Sequence, residues 1–469
     1  MSETQTTNPV QDDSAPAEIL PTEARAAAPD NRPSILFCAP MSILDITSGA
    51  ALSMRTLLSS LASRGFRAVA LQAQLFDSDQ GAEHVIKAGE AAKGKNILRT
   101  IVLGVEHLIV VTKATKRQDM TSTEEEIYLR KFREELLVRK PDVIILWGGL
   151  LLEMTLMREA REAGIPVIFY LVNAGYKNKE TFKYVSRIVT DTQATAQLYR
   201  ERHGLVCHPV GKFIDPALVK APERKPDFIT FINPSFEKGV NVFMPLAKLA
   251  AQECPEIKFL VVQSRGRWGI ALKVLKYVPD DFPNVRVIGH QRNMRPVYGA
   301  TKALLLPSVW HESGARVIAE ALINDIPVLA SDTGGSSELV GDGGKIFKLP
   351  EIVREKRDLP ATEEVVRPWL EEIKRIWHDP AYYDSLCGRV RKEAEQHDIQ
   401  RNTDRFIAVV RPVVQQAKAA MAAKAGKAFD EAKAIDKAKA PAAAPAKDMK
   451  GAVKQALAKK QRKQAQRAK

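Results

Sequence analysis

Two glutamates separated by seven residues are the strongest candidates for chemistry in this sequence. Glu312 and Glu320 lie in the run PSVWHESGARVIAEALINDIPVLASDTGGSSELVGDGGKIF over 307–347. An ionised carboxylate accepts two charge-assisted hydrogen bonds from neighbouring hydroxyls. Eight residues of a helix rise about 12 Å. A helix here would therefore let the two carboxylates bind the two ends of one elongated, hydroxyl-bearing ligand.

Positively charged groups are expected near these carboxylates. Lys238 stands in the segment NPSFEKG, directly before a glycine. Gly49 lies where an amphipathic helix is predicted to begin, and Ser313 is the expected N-cap of a second helix. Because the unpaired N–H groups and the dipole of a helix N-terminus favour anions, each of the two predicted helix starts is a candidate for binding a phosphate-like group.

The elements that position these residues follow a repeated pattern of short apolar strands and amphipathic helices. A buried strand is predicted at ILFCAP, and SGAALSMRTLLSSLASRGFRAVALQ predicts a loop, a helix, a stop at Gly65 and a second strand. Further strands are predicted at DVIILWGG, IPVIFYLV and SRIVTD, and a second series begins with FITFIN after the charged stretch at 221–227. Such alternation predicts an α/β fold of two tandem doubly wound, Rossmann-like domains with parallel sheets covered by helices.

The carboxyl ends of the two predicted sheets should face one cleft between the domains, which is the usual place for a ligand in this fold class. C-terminal helices are predicted from Val366 to Gln416. Both termini are expected to be disordered: the first 32 residues are rich in Pro, Ala, Thr and acids, and Ala and Lys dominate after Ala417.

Composition excludes several classes of protein. The chain has 469 residues, 45% of them hydrophobic, and a mean hydropathy of −0.20, and no apolar run approaches the roughly 20 residues that span a bilayer. The N-terminus lacks the pattern of a secretory signal, so we expect a cytoplasmic protein. Its four cysteines are far apart and lack metal-site spacing, which gives no case for structural zinc or for disulfides.

The net charge of +14 is concentrated at one end of the chain. Residues 415–469 carry +11, residues 1–32 carry −4, and the remainder carries +7. Two interpretations of this basic tail stay open, a solubilising extension or a tether to an anionic membrane surface or another polyanion. Phe429 is the tail's one aromatic residue, so no sequence-specific nucleic-acid binding is expected.

The run that contains both glutamates resembles the group 1 glycosyltransferases (family 4, GT-B fold), whose signature is E-x7-E followed by a G-x-P-V strand and a GG loop. The resemblance covers roughly residues 34–414 and is strongest from 300 to 347. Three further segments support it: SGAALSMRTLLSSLASRG, NPSFEKG and the interdomain link PVGKFIDPA at 209–217.

The resemblance implies a hexosyltransferase that moves a sugar from a nucleotide sugar to a glycan, lipid or protein acceptor, in bacterial-type polysaccharide or glycoconjugate biosynthesis. It implies that Glu312 binds hydroxyls of the transferred sugar, that Glu320 binds the ribose diol and that Lys238 binds the diphosphate. Retention of anomeric configuration is also implied. No cofactor or metal is expected, because Lys238 and the helix N-termini can neutralise the diphosphate that the resemblance implies.

The resemblance also implies the remaining residues of the donor site. Phosphate contacts are expected from the two helix starts, and the nucleobase is expected at the backbone that follows the strand VRVIG. These donor-binding candidates are Gly49, Ser313, Gly314, Ala315, His290, Gln291 and Arg292.

Several positions depart from the family pattern. The family commonly has an arginine before its lysine, but this segment has none, so Ser235 is expected to bond phosphate and Arg316 to supply positive charge. Ala315 replaces a frequent glycine. Asn173 stands where many members place a histidine after the GIPV strand, so it is our third catalytic candidate, with Glu312 and Lys238.

These expectations divide the chain into five segments: a disordered arm at 1–32, an N-terminal Rossmann-like acceptor domain at 33–218, a C-terminal Rossmann-like nucleotide-sugar domain at 219–398, a helix at 399–416 packing back on the first domain, and the basic tail at 417–469. One alternative from another class stays open. A catalytically silent GT-B scaffold, whose basic tail binds an anionic partner, would retain the fold and bind no nucleotide sugar.

Overall fold

The computed structural model describes residues 32–78, 80, 83–91, 94–439, 451 and 454–460. Most of the predicted N-terminal arm and part of the basic tail therefore lie outside the described residues. The chain divides into two compact units, Met1–Gln415 and Gln416–Lys469. The first unit contains two open sheets, each with helices on both faces, so the predicted fold class is confirmed.

Eight strands form the sheet of the N-terminal domain in the order β3-β4-β2-β1-β5-β6-β7-β8. Their bounds are β1 Ser34–Cys38, β2 Arg67–Ala73, β3 Ile97–Val102, β4 Val105–Val110, β5 Val143–Leu146, β6 Val167–Leu171, β7 Arg187–Thr190 and β8 Cys207–Pro209. All neighbours run parallel except the edge pair β3 and β4. The prediction of a purely parallel sheet is wrong at this edge, because a tight hairpin at Leu103 and Gly104 joins the two strands.

Two apolar cores hold this sheet, one on each face. Alternate residues of β1 point to opposite faces, as a pleated strand requires: Leu36 packs in one core and Phe37 in the other. The described helices of this domain are α1 Gly49–Ser63, α2 Glu83–Ala91, α3 Ser122–Arg139, α4 Leu151–Glu162 and α5 Gln193–His203. A short helix, α6 Pro216–Val219, follows in the interdomain link, where Val219 packs with Ala319 of the second domain. Helices α3 and α4 cover the first face, and α1 covers the second.

Six parallel strands form the second sheet in the order β11-β10-β9-β12-β13-β14. Their bounds are β9 Phe228–Ile232, β10 Phe259–Val262, β11 Val285–Ile288, β12 Thr301–Leu306, β13 Val328–Ser331 and β14 Gly344–Phe347. The helices are α7 Val240–Glu253, α8 Trp268–Leu275, α9 Arg295–Ala300, α10 Arg316–Ile323, α11 Ser336–Val340, α12 Glu351–Glu355, α13 Glu363–His378 and α14 Pro380–Ala394. The two faces pack around Phe243 and Trp369 on one side and around Leu304 and Leu322 on the other.

The last helix, α15, runs over Ile399–Lys439. Its first turns lie on the N-terminal domain, where Phe406 and Val410 join the core beneath α1. We expected this helix over 399–416 only, but it continues for 23 residues, because alanine and lysine are strong helix formers and no proline interrupts them before Pro441. None of the described helices is long and apolar enough to cross a membrane.

Candidate active site

The carboxyl ends of the two sheets open on one cavity of about 950 Å³. The loops that follow the strands meet here, because the carboxyl ends of parallel strands lie at the same edge of a sheet. Of the residues selected from the sequence, the cavity is lined by Gly49, Asn173, Ser235, Lys238, His290, Gln291, Glu312, Ser313, Gly314, Ala315, Arg316 and Glu320. Residues about 270 positions apart along the chain thus meet at one site.

Arg292 is the selected residue that the structure does not bring to the cavity. Its guanidinium lies 3.3 Å from the carboxylate of Glu83, and both side chains are at least half exposed. The prediction that Arg292 helps to receive the nucleobase is therefore not supported by its position. The neighbouring His290 and Gln291 do line the cavity.

Lys238 and Glu312 form an ion pair in the cavity, with Lys238 Nζ 2.6 Å from Glu312 Oε1. Lys238 ends the loop between β9 and α7, and Gly239 follows it with φ of 82°. A Cβ on Gly239 would lie 1.8 Å from the carbonyl oxygen of Pro307. The left-handed backbone and this close approach both require glycine, so the Lys-Gly pair fixes the lysine against the loop that carries Glu312.

The carboxylate of Glu312 is held in its charged form. Ser308 Oγ donates a second hydrogen bond of 2.6 Å to Glu312 Oε1, the same oxygen that Lys238 contacts. Burial acts to raise the pKa of Glu312, but the Lys238 ammonium, the two hydrogen bonds and the more distant charge of Lys212 together lower it. Among the described residues, Lys238 and Ser308 both donate to Oε1 of Glu312. The other oxygen, Oε2, is therefore available to accept a hydrogen bond from a ligand.

Glu320 has a different environment, because both of its carboxylate oxygens are engaged. Arg316 Nε donates to Oε1, and the buried Tyr298 hydroxyl donates to Oε2. Burial and the adjacent carboxylate raise the pKa of Tyr298 well above its usual value, so the phenol remains a donor. Arg316 also donates to the carbonyl of Phe213 in the interdomain link at 2.9 Å.

Ser313 does not cap a helix. Helix α10 begins at Arg316 with Ala315 at the N-cap, so Glu312 lies in the preceding loop and only Glu320 is helical. The prediction that both glutamates share one helix, 12 Å apart along its axis, is therefore wrong. The physical reason lies in the other domain: the hydroxyls of Thr192 and Thr195 donate to the carbonyl of Ser313, which holds this segment out of the helix.

The start of α1 faces the same cavity. Gly49 is its first residue, the N-cap Ser48 makes no side-chain hydrogen bond to the helix, and the first turn carries no acidic residue. A Cβ on Gly49 would lie 3.9 Å from Cβ of Arg316, so the first residues of α1 and α10 lie side by side. Unpaired amides beside a cation are well suited to an anion.

The acceptor-side candidate Asn173 is exposed and lines the cavity. Its Oδ1 accepts a 2.7 Å hydrogen bond from the backbone of Gly175, which shapes the loop after β6. His311 also lines the cavity, and its buried Nε2 has no hydrogen-bond partner among the described residues. Burial lowers the pKa of His311, so its imidazole is neutral near pH 7 and can bond a hydroxyl.

Sequence reasoning missed Lys212 and Arg265, two further cations that line the cavity. Lys212 Nζ lies 2.6 Å from Asp191 Oδ2, and both side chains are almost fully buried. The Tyr170 hydroxyl donates to the other oxygen of Asp191 at 2.7 Å. Arg265 follows β10 and lies 3.6 Å from Asp77. Both cations follow the carboxyl end of a strand, and this position in the sequence could have identified them as candidates.

Within the described ranges, no group of three or more His, Cys, Asp or Glu side chains is placed to hold a metal ion. The positive charge at the cavity comes from lysine and arginine. Each of the two motif glutamates is paired with one of these cations, Glu312 with Lys238 and Glu320 with Arg316.

Comparisons with known proteins agree with this geometry. Residues 227–366 match the family model described as Glycosyl transferases group 1. No curated protein matches the sequence. Among solved structures, a sucrose-phosphate synthase from Thermosynechococcus elongatus is similar with a TM-score of 0.61 and 14% identity, over 82% of this chain and 100% of that chain.

Two further solved structures have the same fold. A glycosyltransferase from Rickettsia africae gives a TM-score of 0.59 at 11% identity, over 82% of this chain and 99% of that chain. HepE from Anabaena, in complex with UDP and glucose, gives a TM-score of 0.58 at 14% identity, over 81% of this chain and 100% of that chain. Residues 227–366 therefore match the model of the group 1 glycosyltransferases, and the chain shares its two-domain fold with these solved structures.

Proposed function

We propose that this protein transfers a hexosyl group from a nucleotide sugar to a hydroxyl acceptor, with retention of configuration and without a metal. The observation that carries the proposal is the convergence of Lys238, Glu312 and Glu320 on one interdomain cavity. An anionic leaving group needs a cation and helix amides, and a sugar and a ribose need hydroxyl-binding carboxylates.

The proposal assigns each part of the donor to a part of the cavity. The diphosphate lies between Lys238, Arg316 and the amides at the start of α1. The transferred sugar faces Glu312 Oε2, and the ribose faces Glu320 at the far end. As the glycosidic bond breaks, negative charge grows on the diphosphate, so the fixed cations stabilise the transition state more than the ground state.

Metal independence is supported by this supply of protein cations, because lysine and arginine side chains can neutralise a diphosphate without a divalent ion. Retention is supported by the family resemblance. Chelation of trace metals should leave turnover unchanged. The anomeric configuration of the product, read by NMR before it equilibrates, tests retention.

A panel of nucleotide sugars tests the function as a whole. HepE from Anabaena has been solved with UDP-glucose, so UDP-hexoses are the first compounds to try, followed by GDP-, ADP- and dTDP-sugars. A ligand at 100 times its Kd stabilises the folded protein by about 2.7 kcal/mol, which a thermal-shift assay detects. Release of nucleoside diphosphate then reports turnover. A folded protein that binds no member of the panel would instead support the silent scaffold.

We further propose that the basic tail tethers the protein to an anionic surface. The charge of +11 over residues 415–469 supports this proposal, since each basic residue near an anionic membrane contributes about 1 kcal/mol. A chain that ends at Gln416 should keep its turnover and bind anionic vesicles more weakly than the full chain. Equal binding by both chains would leave the tail as a solubilising extension.

A further inference from the structure

Two adjacent leucines are exposed beside the cavity. Leu150 and Leu151 follow β5 at the start of α4, and 55% and 80% of their surfaces face solvent. Leu150 occupies the N-cap position of α4, where Ser, Thr, Asp or Asn is the usual choice. Helix formation therefore does not explain this leucine, and packing does not explain either of them.

Exposed lysines lie on the segment that packs against the loop before this leucine pair. The loop before Leu150 packs on the segment after β6, since a Cβ on Gly149 would lie 3.0 Å from the side chain of Thr181. That segment carries exposed Lys177, Lys179 and Lys183. In the described part of the chain, none of the three has an ion-pair partner, and Lys183 lies over the ring of Tyr184.

We propose that this leucine–lysine patch, formed by Leu150, Leu151, Lys177, Lys179 and Lys183, docks on the surface of an anionic phospholipid bilayer. The leucines enter the boundary between headgroups and acyl chains, while the lysines extend their charged ends toward lipid phosphates. Charge complementarity selects this partner over a neutral surface, because Glu180 is the single acidic residue from 173 to 184.

The position of the patch determines which part of the protein would face the membrane after docking. Trp147 and Tyr176 line the cavity and stand next to the leucine loop and the lysine segment along the chain. The tyrosine hydroxyl accepts a 3.1 Å hydrogen bond from the backbone of Gly148, which ties the two segments together. A protein docked through this patch would hold the N-terminal wall of the cavity close to the membrane surface. The patch does not involve the basic tail, which belongs to the other compact unit.

A matched pair of exposed apolar residues makes the test selective. Leu137 and Val138 end α3, and 76% and 73% of their surfaces are exposed, as much as at Leu151. The four native cysteines are all buried, so a single introduced cysteine accepts an environment-sensitive fluorophore. We would label Leu151→Cys and Leu137→Cys in the full chain and add vesicles of phosphatidylglycerol and phosphatidylcholine. A blue shift is expected at position 151 and not at position 137.

The two labels also distinguish docking through the patch from binding elsewhere on the chain, because docking through the patch places position 151, and not position 137, in lipid. Equal emission changes at both positions, or no change at position 151 on vesicles that bind the protein, would overturn the proposal. Failure of the full chain to bind anionic vesicles at physiological salt would overturn it as well. An acidic protein partner would be compatible with the second and third of these results.

Substitutions give an independent measure. The double variant Leu150→Ser, Leu151→Ser should lower the vesicle partition coefficient at least about tenfold, and Lys177→Glu with Lys179→Glu should lower it further and make binding less dependent on salt. Leu137→Ser with Val138→Ser is the matched control and should bind as wild type does. Nucleotide-sugar binding in solution verifies that each variant is folded. Equal vesicle binding by both serine double variants would contradict the proposal.

Discussion

The carboxylate of Glu338 accepts a 2.9 Å hydrogen bond from the backbone N–H of Gln193, although the two residues belong to different Rossmann-like domains. The neighbouring N–H of Ala194 donates to the other carboxylate oxygen at 3.1 Å. Glu338 therefore caps the N-terminus of α5 from across the cleft, with a favourable charge–dipole interaction. Nearby, a Cβ on Gly335 would lie 2.6 Å from the side chain of Thr192, so this glycine lets the two domains approach this closely.

We expect Glu338→Ala to weaken this interdomain contact. Loss of a helix cap typically costs about 0.5–2 kcal/mol, and here the loss should weaken donor binding because the domains that line the cavity are no longer joined at this point. Glu338→Gln keeps one acceptor oxygen and should fall between the alanine variant and wild type. Calorimetric titration with a nucleotide sugar measures the change, and wild-type affinity in Glu338→Ala would refute it.

Glu320→Ala should weaken binding of free nucleotide and of nucleotide sugar together, because both present the same ribose diol. The expected loss is about 1.5–3 kcal/mol for charged hydrogen bonds. The folded protein should also lose stability, since Arg316 and Tyr298 lose their shared partner in a buried site. Calorimetry and urea unfolding measure the two effects. Unchanged affinity for the free nucleotide would remove Glu320 from the ribose site.

Glu312→Ala should reduce turnover while it spares the affinity for free nucleotide, because Glu312 is assigned to the transferred sugar alone. The freed Lys238 ammonium then remains available to the diphosphate. Steady-state kinetics and titration with the nucleoside diphosphate separate the two quantities. An equal loss of nucleotide affinity in Glu312→Ala and Glu320→Ala would show that the assignment of one glutamate to each end is wrong.

Lys238→Ala should lower turnover by more than its effect on donor affinity, because the cation acts on charge that develops as the bond breaks. Removal of one preorganised electrostatic group typically costs about 10²–10³-fold in rate. Lys238→Arg should recover only part of the lost turnover, because the planar guanidinium places its positive charge differently from the lysine ammonium. Lys258, a half-exposed lysine paired with Asp227, provides the control.

The turnover of folded Lys238→Ala at a saturating donor concentration tests whether Lys238 contributes to the chemical step. Turnover within about threefold of wild type would exclude a principal role for Lys238. In that case Arg316 and Lys212, the other buried cations of the cavity, become the candidates for the diphosphate. Lys258→Ala should keep wild-type kinetics throughout.

The pH dependence of stability follows from the lowered pKa of Glu312. Its folded-state pKa lies below the ordinary value of 4.5, so the ionised carboxylate stabilises the folded protein above that pH, and this contribution is lost as the pH falls through the folded pKa. The difference in unfolding free energy between wild type and Glu312→Gln should therefore be constant from pH 8 to pH 6 and shrink below pH 4.5. Urea unfolding across this range measures it, and a difference that grows toward low pH would contradict the assignment.

The sequence by itself determined the strand and helix alternation, because burial on both faces of a parallel sheet leaves continuous apolar runs such as ILFC, which forms β1. It also located the cavity-lining loops, since these follow the carboxyl ends of such strands. The edge strand β3 carried a weaker signal, because its residues alternate between buried and partly or fully exposed positions.

Only the tertiary structure decided how the site residues are partnered. The pairing of Lys238 with Glu312 joins residues 74 positions apart, and the late start of α10 depends on Thr192 of the other domain. Local periodicity reports which face of an element is apolar, but hydrogen bonds and charges between distant loops depend on how two folded domains meet. For this reason the sequence identified the chemical groups of the site, and the fold determined which of them act on each other.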